Sequence, residues 1–330
     1  NGFNLSSVAH ILWQQGRTEE AIQTYEKAVR MLRRTRHAEG LSHSLRTLAD
    51  ILIGLQRHEE ALPHLTEAAE LCNLMEDRQT EAQLWLAIGE VHEKAADYPE
   101  AMAAWGKSRI VCQQLDDHAL ELNVLESMAQ FTRKQVPEPS LALQYYGEAL
   151  TIAESAEDGA RESDLRNTMG IIEWERNNFE AALRHYERAL ELLEHQTESP
   201  DAGLVLTSIG VTLHKLGRLD EALDRLEHAL QHNSAIGSKR LVGFTLAALG
   251  DVHYDQDRLH DAVARYDQSL RVRRDIGDLR GEGWMQHHLA RTYAKLGALD
   301  RKRDCATEAW RIGDACDDAE LITALRHLQN

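Results

Sequence analysis

Histidine is the residue type that most invites a chemical interpretation of this sequence, since seventeen histidines occur in 330 residues. The best-spaced group is Asp224, His228 and His232, which recur at every fourth position and so share one face of a helix. Two histidines four residues apart can bind one zinc ion, but the glutamate base of the zinc proteases is absent from this pattern. We therefore expect no metal site, and a metal-dependent enzyme that uses His228 and His232 is the less favoured alternative.

Covalent and phosphate chemistry have no better support. The sequence contains no glycine-rich phosphate loop, no Gly-x-Ser-x-Gly turn and no nucleophile with an evident base. The four cysteines lack the spacing of zinc ligands and are expected to be free thiols in a reducing, cytoplasmic compartment: Cys72, Cys112, Cys305 and Cys316. We predict that the chain is not an enzyme and that it binds no cofactor.

The composition restricts the partners. A net charge of −17 opposes nucleic-acid binding, because neutralisation of phosphates supplies most of the non-specific affinity. No apolar run approaches the roughly 20 residues that a membrane-spanning helix needs. We expect a protein or peptide partner, with a basic or amphipathic segment favoured by the acidic charge. The composition leaves the oligomeric state open.

The spacing of apolar and small residues in 85–108 predicts two helices, so we expect any functional site to lie on helices. Helical spacing produces two stripes, Trp85, Ile88 and His92 on a first helix and Ala101, Trp105 and Ser108 on a second. Small residues such as Gly89 and Ala101 would let the two helices approach closely, and large side chains would fill the remaining space. Such a hairpin cannot bury its apolar face alone and needs neighbours on either side.

The same stripes recur about every 40 residues along the whole chain. The small position of the second helix recurs as Ala21, Ala61, Ala101, Ala142, Ala182, Ala222, Ala262 and, in a degenerate last repeat, Lys302. The small position of the first helix recurs as Ala9, Ala49, Gly89, Ala129, Gly170, Gly210, Gly250 and Ala290. These columns predict eight helical hairpins.

The turns of the hairpins are predicted from the same register. First helices are expected to end, mostly at residues that tolerate a left-handed backbone, at Gly16, Gln56, Ala96, Pro137, Asn177, Gly217, Asp257 and Gly297. The next first helices are expected to begin after capping side chains at Asp77, Asp117, Asp158, Ser238, Asp278 and Asp318. The fourth repeat carries one extra residue near 136–140, where we expect a kink or a widened turn.

These motifs resemble the tetratricopeptide repeat family along essentially the whole chain. The period of about 40 residues exceeds the usual period of about 34, and the proline that normally closes the second helix is missing. The resemblance is to the long-period subgroup, as in bacterial multidomain signalling regulators and Pins/LGN-type adaptors. It implies an all-α, right-handed α-solenoid superhelix of about eight hairpins, with a concave groove formed by the first helices.

The resemblance implies a single solenoid domain, 1–330. Its repeats are expected at about 1–37, 38–77, 78–117, 118–158, 159–198, 199–238, 239–278 and 279–317, followed by a terminal helix, 318–330. This last helix is either a solvating cap or the start of a truncated ninth repeat.

The family's inward positions supply the candidate binding residues. They are polar or aromatic side chains on first helices, namely Trp13, His43, Arg46, Glu90, Lys94, Asn123, Gln130, Arg133, Lys134, Asn167, Trp174, His214, Tyr254, Trp284, His287 and Arg291. Trp13, Trp174, Tyr254 and Trp284 are large rings that we expect to lie where no core requires them, which is typical of binding anchors. The alternative is that a helix face toward a water-filled groove is simply polar.

Two functions compete on this pattern. The first is a non-catalytic protein- or peptide-binding scaffold or sensor module that forms part of a larger regulatory protein. The second is a receptor or enzyme regulator whose superhelix closes on a signal peptide or a small metabolite. Marked compaction on ligand binding, measured by small-angle scattering, would favour the second function.

The helix faces can be tested by substitution. Ala182→Leu should overpack a helix pair and lower the free energy of unfolding by ~1–3 kcal/mol. Glu187→Leu, at a position that the register places in solvent, should change it little. Equal effects in chemical denaturation would show that the faces are misassigned.

Overall fold

A computed structural model of the chain describes residues 2–135, 139–193 and 200–329. These residues form seventeen α-helices and no β-strand, which confirms the predicted all-α class. None of the described helices is both long enough and apolar enough to cross a membrane. The helices fall into two compact units, residues 1–157 (unit 1) and residues 158–330 (unit 2).

Unit 1 contains eight of the helices, α1 (Gly2–Gln14), α2 (Thr18–Thr35), α3 (Ala38–Gly54), α4 (His58–Leu74), α5 (Arg78–Lys94), α6 (Tyr98–Leu115), α7 (His118–Gln135) and α8 (Ser140–Ser155). Unit 2 contains the other nine, α9 (Gly159–Glu175), α10 (Phe179–Leu193), α11 (Pro200–Lys215), α12 (Leu219–Ala235), α13 (Lys239–Asp255), α14 (Leu259–Asp275), α15 (Leu279–Lys295), α16 (Leu299–Cys316) and α17 (Ala319–Gln329).

Within each unit the helices stack as successive hairpins, as a solenoid requires. Each helix packs on the next one in the chain, and the first helices of neighbouring hairpins also touch. These additional contacts join α1 to α3 and α5 to α7 in unit 1, and α11 to α13 and α15 to α17 in unit 2. The odd-numbered helices therefore form the inner layer of each unit, and we call its open side the inner face.

The recurring small residues hold the hairpins together. The alanines of the second-helix column are fully buried: Ala21, Ala61, Ala101, Ala142, Ala182, Ala222 and Ala262. Glycines on the first helix receive a large side chain of the second. A Cβ added to Gly250 would lie 2.4 Å from the ring of Tyr266, and one added to Gly89 would lie 2.2 Å from the indole of Trp105. These close approaches leave no room for a methyl group.

The turns confirm the predicted register. Every predicted end of a first helix that the structure describes has a positive φ: Gly16, Gln56, Ala96, Asn177, Gly217, Asp257 and Gly297. Predicted caps that accept a backbone N–H of the next helix are Asp77, Asp117, Asp158, Asp278 and Asp318. Ser238 occupies the predicted N-cap position of α13, but its side chain makes no capping hydrogen bond. The sequence did not predict the cap at His37. Its Nδ1 accepts a hydrogen bond from the backbone N–H of Gly40, with 3.2 Å between the two nitrogens.

Other parts of the sequence prediction concern the ends of the repeats. Lys302 occupies the degenerate alanine position and is only half-buried. The expected kink near 136–140, the helix end at Pro137 and the repeat boundary at 198–199 lie wholly or partly outside the described residues. The assignment of all 330 residues to a single domain stays a prediction.

The glycine contact yields a stability prediction with an internal control. Gly89→Ala should lower the free energy of unfolding by ~1–3 kcal/mol, because its methyl group would overlap the fully buried Trp105. Gly106→Ala, in α6, should instead raise it by about 0.5–1 kcal/mol, since a Cβ there meets no neighbour within 4 Å. Urea denaturation of both variants measures the difference, and changes of the same sign would contradict the close contact at Gly89.

Candidate functional site

A cavity of about 500 Å³ lies on the inner face of unit 2, lined mainly by α9, α11, α13 and α15. Its apolar lining consists of Ile171, Trp174, Tyr186, Val211, Phe244, Ala247, Ala248 and Met285. Its polar lining consists of Glu175, Ser208, Lys215, Asp251, Arg273 and His288. Ligand pockets commonly enclose roughly 300–1,000 Å³ and combine an apolar wall with a few polar groups, as this cavity does.

The apolar wall is unusual for its exposure. Phe244 of α13 is 43% exposed, although its ring has the size of a core residue. One turn further along the same helix, Ala247 and Ala248 are buried and leave a shallow floor beside the ring. Ile171 and Val211 complete the wall and are half-buried against the core of unit 2. An apolar side chain from a ligand would lose water by settling against these residues.

Asp251 forms the polar end of the cavity. Its Oδ1 accepts a hydrogen bond from the Tyr266 hydroxyl at 2.7 Å. The same oxygen lies 3.3 Å from His288 Nδ1 and 3.6 Å from Arg291 Nη2. Residues of α14 and α15 therefore fix a carboxylate of α13. The ring of His288 also stacks on that of Tyr266, with centroids 5.2 Å apart.

These contacts determine the charge at this end of the cavity. Burial opposes ionisation of Asp251, but His288, Tyr266 and Arg291 outweigh it and hold the pKa of the carboxyl below its usual range. Burial and the adjacent Asp251 charge raise the pKa of Tyr266, so its hydroxyl stays protonated and donates. The site therefore presents an ionised carboxylate at neutral pH.

The other polar residues of the lining differ in whether they already have a partner. Arg273 Nη1 forms an ion pair with Asp278 Oδ2 at 2.5 Å, so its charge is compensated outside the cavity. Lys215 is exposed and has no ion pair within the described part of the chain. The Ser208 hydroxyl donates to the Leu204 carbonyl at 3.0 Å. Lys215, Asp251 and the exposed Glu175 are thus charged groups that a ligand in the cavity would meet.

Of the binding residues predicted from sequence, Trp174 lines this cavity. Three others in unit 2, His214, Tyr254 and Arg291, lie toward the C-terminal ends of the inner helices, and each contacts a residue of a neighbouring inner helix. His214 Nε2 pairs with Asp255 Oδ2 at 2.7 Å, which joins α11 to α13. The Arg291 guanidinium lies 4.0 Å from the centre of the Tyr254 ring, which joins α15 to α13. These contacts link neighbouring inner helices of unit 2. Asn167 is half-buried on α9, outside the cavity lining.

Trp174, Tyr254 and Trp284 correct the expectation that the predicted rings lie where no core requires them, and the predicted binding residue His287 is buried as well. Trp284 packs against two core clusters of unit 2, and its indole Nε1 donates to Asp318 Oδ2 at 3.2 Å. His287 is 8% exposed. Trp174 and Tyr254 also pack against core residues. The prediction that no core requires these rings is wrong for all three, because neighbouring repeats bury the flanks of each inner helix.

The predicted residues of unit 1 are spread over four inner helices. Those that are exposed are Trp13, His43, Arg46, Glu90, Lys94, Gln130 and Lys134, and those that are half-buried are Asn123 and Arg133. Lys134 Nζ pairs with Glu93 Oε1 at 3.0 Å, which joins α7 to α5. The Trp13 and His10 rings lie 6.0 Å apart on α1. A cavity of about 380 Å³ in unit 1 is lined by residues of α4, α5 and α6, none of which is among these predicted residues.

The histidine group considered for zinc does not form a metal site among the described residues. No set of three or more histidine, cysteine, aspartate or glutamate side chains there is placed to hold an ion. His228 is exposed, whereas both ring nitrogens of His232 are buried. The two histidines therefore do not present a shared set of lone pairs to solvent.

Sequence reasoning missed the apolar wall, although a signal for part of it was present. The position after each first-helix small residue is polar in six repeats: His10, Asp50, Glu90, Gln130, Asp251 and Arg291. In the other two repeats Ile171 and Val211 occupy it. Two apolar residues in a column that is otherwise polar therefore indicate where the apolar wall of the cavity lies.

His287 gives a pH prediction with a defined sign. Burial, with help from His288 and Arg291, lowers the pKa of His287 to about 4, whereas an unfolded histidine titrates near ~6.5. The unfolded chain therefore binds the proton more readily, so stability is complete above pH ~6.5 and falls as the pH drops toward about 4, by roughly 3 kcal/mol. His287→Gln should flatten this decline in urea denaturation, and exposed His228→Gln should not. An unchanged slope in His287→Gln would contradict the assignment.

Solved structures show where else this fold occurs. One similar structure is a Signal Transduction ATPase with Numerous Domains (STAND) protein with a tetratricopeptide repeat sensor, from Pyrococcus horikoshii. It aligns with a TM-score of 0.69 and 14% identity over 98% of this chain and 48% of the STAND chain. The present chain therefore spans about half the length of that protein. Aspartyl phosphate phosphatase F from Bacillus subtilis aligns with a TM-score of 0.62 and 13% identity over 100% and 78%. The apo form of the quorum sensor NprR from B. thuringiensis aligns with a TM-score of 0.52 and 12% identity over 94% and 87%. Identities this low establish the shared fold alone.

Family membership rests on a separate match. No curated protein matches the chain significantly. The family model described as tetratricopeptide repeat matches residues 4–73, 138–195, 161–235 and 201–275, which together exceed half of the chain. With its period, its small-residue columns and its stacked hairpins, this chain belongs to the tetratricopeptide repeat family.

Proposed function

We propose that the chain is a non-catalytic binding module that holds a protein or peptide segment on the inner face of unit 2. The observation that carries the proposal is the cavity beside Phe244, a large ring left 43% exposed over a floor of alanines. Interfaces commonly derive most of their affinity from a few apolar or aromatic side chains buried in such pockets. The bound segment would insert an apolar side chain here.

The lining favours an amphipathic segment over a purely basic one. Two acids, Glu175 and Asp251, and two bases, Lys215 and Arg273, line the cavity together with eight apolar residues. A segment with one apolar and one polar side would match this arrangement. The exposed inner-face residues of unit 1 remain predicted additional contacts, and the cytoplasmic location stays a prediction.

A second candidate is a receptor or enzyme regulator that closes on a signal peptide or a small metabolite. It is favoured by the cavity volume of about 500 Å³, which would also hold a small molecule. Two of the structural relatives are described as sensors, which supports the same candidate. Small-angle scattering with and without bound peptide distinguishes them, since a marked decrease in the radius of gyration favours closure and an unchanged radius favours the scaffold.

The cavity can be tested with selected peptides. Short random peptides displayed on phage are selected on the wild-type protein, and the enriched sequences are synthesised with a fluorophore. Phe244→Asp should weaken their binding at least about tenfold in fluorescence polarisation, because it places a charge against the apolar side chain of the ligand.

The matched control is Leu299→Asp. Leu299 is 68% exposed at the start of α16 and does not line the cavity, so this variant should bind as wild type does. Selected peptides that bind Phe244→Asp with undiminished affinity, or a selection that enriches no peptide, would overturn the proposed function.

A further inference from the structure

We propose that Asp251 is the specificity-determining acceptor of the cavity, and that it binds an N–H donor of the segment directly beside the segment's apolar side chain. The inference rests on the proposed function and adds the chemistry that the ligand must carry. A bound segment would need both an apolar group and a polar hydrogen at a fixed separation.

The contacts to the Asp251 carboxylate are concentrated on one of its oxygens. The contacts that Tyr266, His288 and Arg291 make with it are all measured to Oδ1, at 2.7, 3.3 and 3.6 Å. The side chain is nevertheless 33% exposed and lines the cavity. An ionised carboxylate has about four acceptor sites on its two oxygens, so this carboxylate retains acceptor capacity for a ligand. It is positioned by its neighbours and still reaches the cavity.

The position of Asp251 on α13 places this acceptor next to the apolar floor. Phe244, Ala248 and Asp251 are spaced by four and then three residues, so they lie along one face of the helix. A residue whose side chain rests against Phe244 and Ala248 would have its own polar hydrogens within about one helical turn of the carboxylate. The apolar contact and the hydrogen bond would thus both be made with the same part of the ligand.

This arrangement would select against ligands that offer no hydrogen-bond donor to Asp251. A ligand that covers Asp251 without offering a donor would remove water from an ionised oxygen and leave it unpaired. Sites that lose a buried hydrogen bond in this way reject the wrong ligand far more strongly than apolar pockets do. Apolar segments that lack an N–H at the matching position, such as those with proline there, would therefore bind poorly.

The experiment compares one selected peptide with its N-methylated forms. Peptides that lose affinity for Phe244→Asp are resynthesised with each backbone nitrogen methylated in turn, and any lysine is replaced by norleucine. In wild type, one of these changes should weaken binding about tenfold or more. Loss on methylation identifies a backbone amide as the donor, and loss on norleucine replacement identifies an ammonium group.

Asp251→Asn should abolish this penalty. With Tyr266 and Arg291 holding the amide oxygen inward, the NH2 group would face the cavity and could not accept a hydrogen bond. Parent and modified peptides should then bind equally. Asp304→Asn, an exposed position on α16 outside the cavity lining, should keep the wild-type penalty. If Asp251→Asn does not fold, Asp251→Glu displaces the carboxylate and should reduce the penalty likewise.

The outcomes separate the two proposals. Peptides that depend on Phe244 but show the same penalty in Asp251→Asn as in wild type would overturn the role of Asp251 and leave the cavity intact. Peptides with no modification that weakens binding would overturn it too. A merely structural role for Asp251 would weaken parent and modified peptides alike and preserve the ratio between them.

Discussion

The contact between a glycine on one helix and an aromatic ring on the next is the interaction on which both the hairpins and the cavity depend. In the hairpin of α13 and α14, the ring of Tyr266 packs so closely on Gly250 that a methyl group would overlap it. This approach places the phenol oxygen 2.7 Å from Asp251, the residue that follows Gly250. The packing that stabilises the repeat therefore also positions the carboxylate that faces the cavity. Weakening one would disturb the other.

A second level of organisation lies on the inner face. Pairs such as His214 with Asp255 and Arg291 with Tyr254 join each inner helix to the next. The first is a hydrogen-bond contact and the second a cation–π contact, and each links two neighbouring inner helices of unit 2. The open apolar wall around Phe244 lies among these linked helices. Under the proposed function, these polar contacts border the cavity and the apolar residues of its wall would supply the contact with the ligand.

Much of the fold could be predicted because its determinants are local. Left-handed turn residues such as Asn177 and capping side chains such as Asp158 act within a few positions of themselves, and the structure confirms both. The cavity could not be located in the same way. An apolar residue such as Phe244 looks like core in any helical pattern, and only the approach of neighbouring helices decides whether it is covered. The same non-local contacts bury His287, which a helical wheel places with the accessible residues.

The alternation of roles along α13 has a consequence for how such a protein can diversify. Gly250 belongs to the column that holds the hairpin together, while Asp251 and Phe244 belong to the lining of the cavity. Under the proposed function, adjacent positions in the chain would serve different requirements, one for stability and the other for recognition. Substitutions in the lining would then change which ligand binds while the notch that receives Tyr266 stays intact, so one architecture could acquire new ligands without being rebuilt.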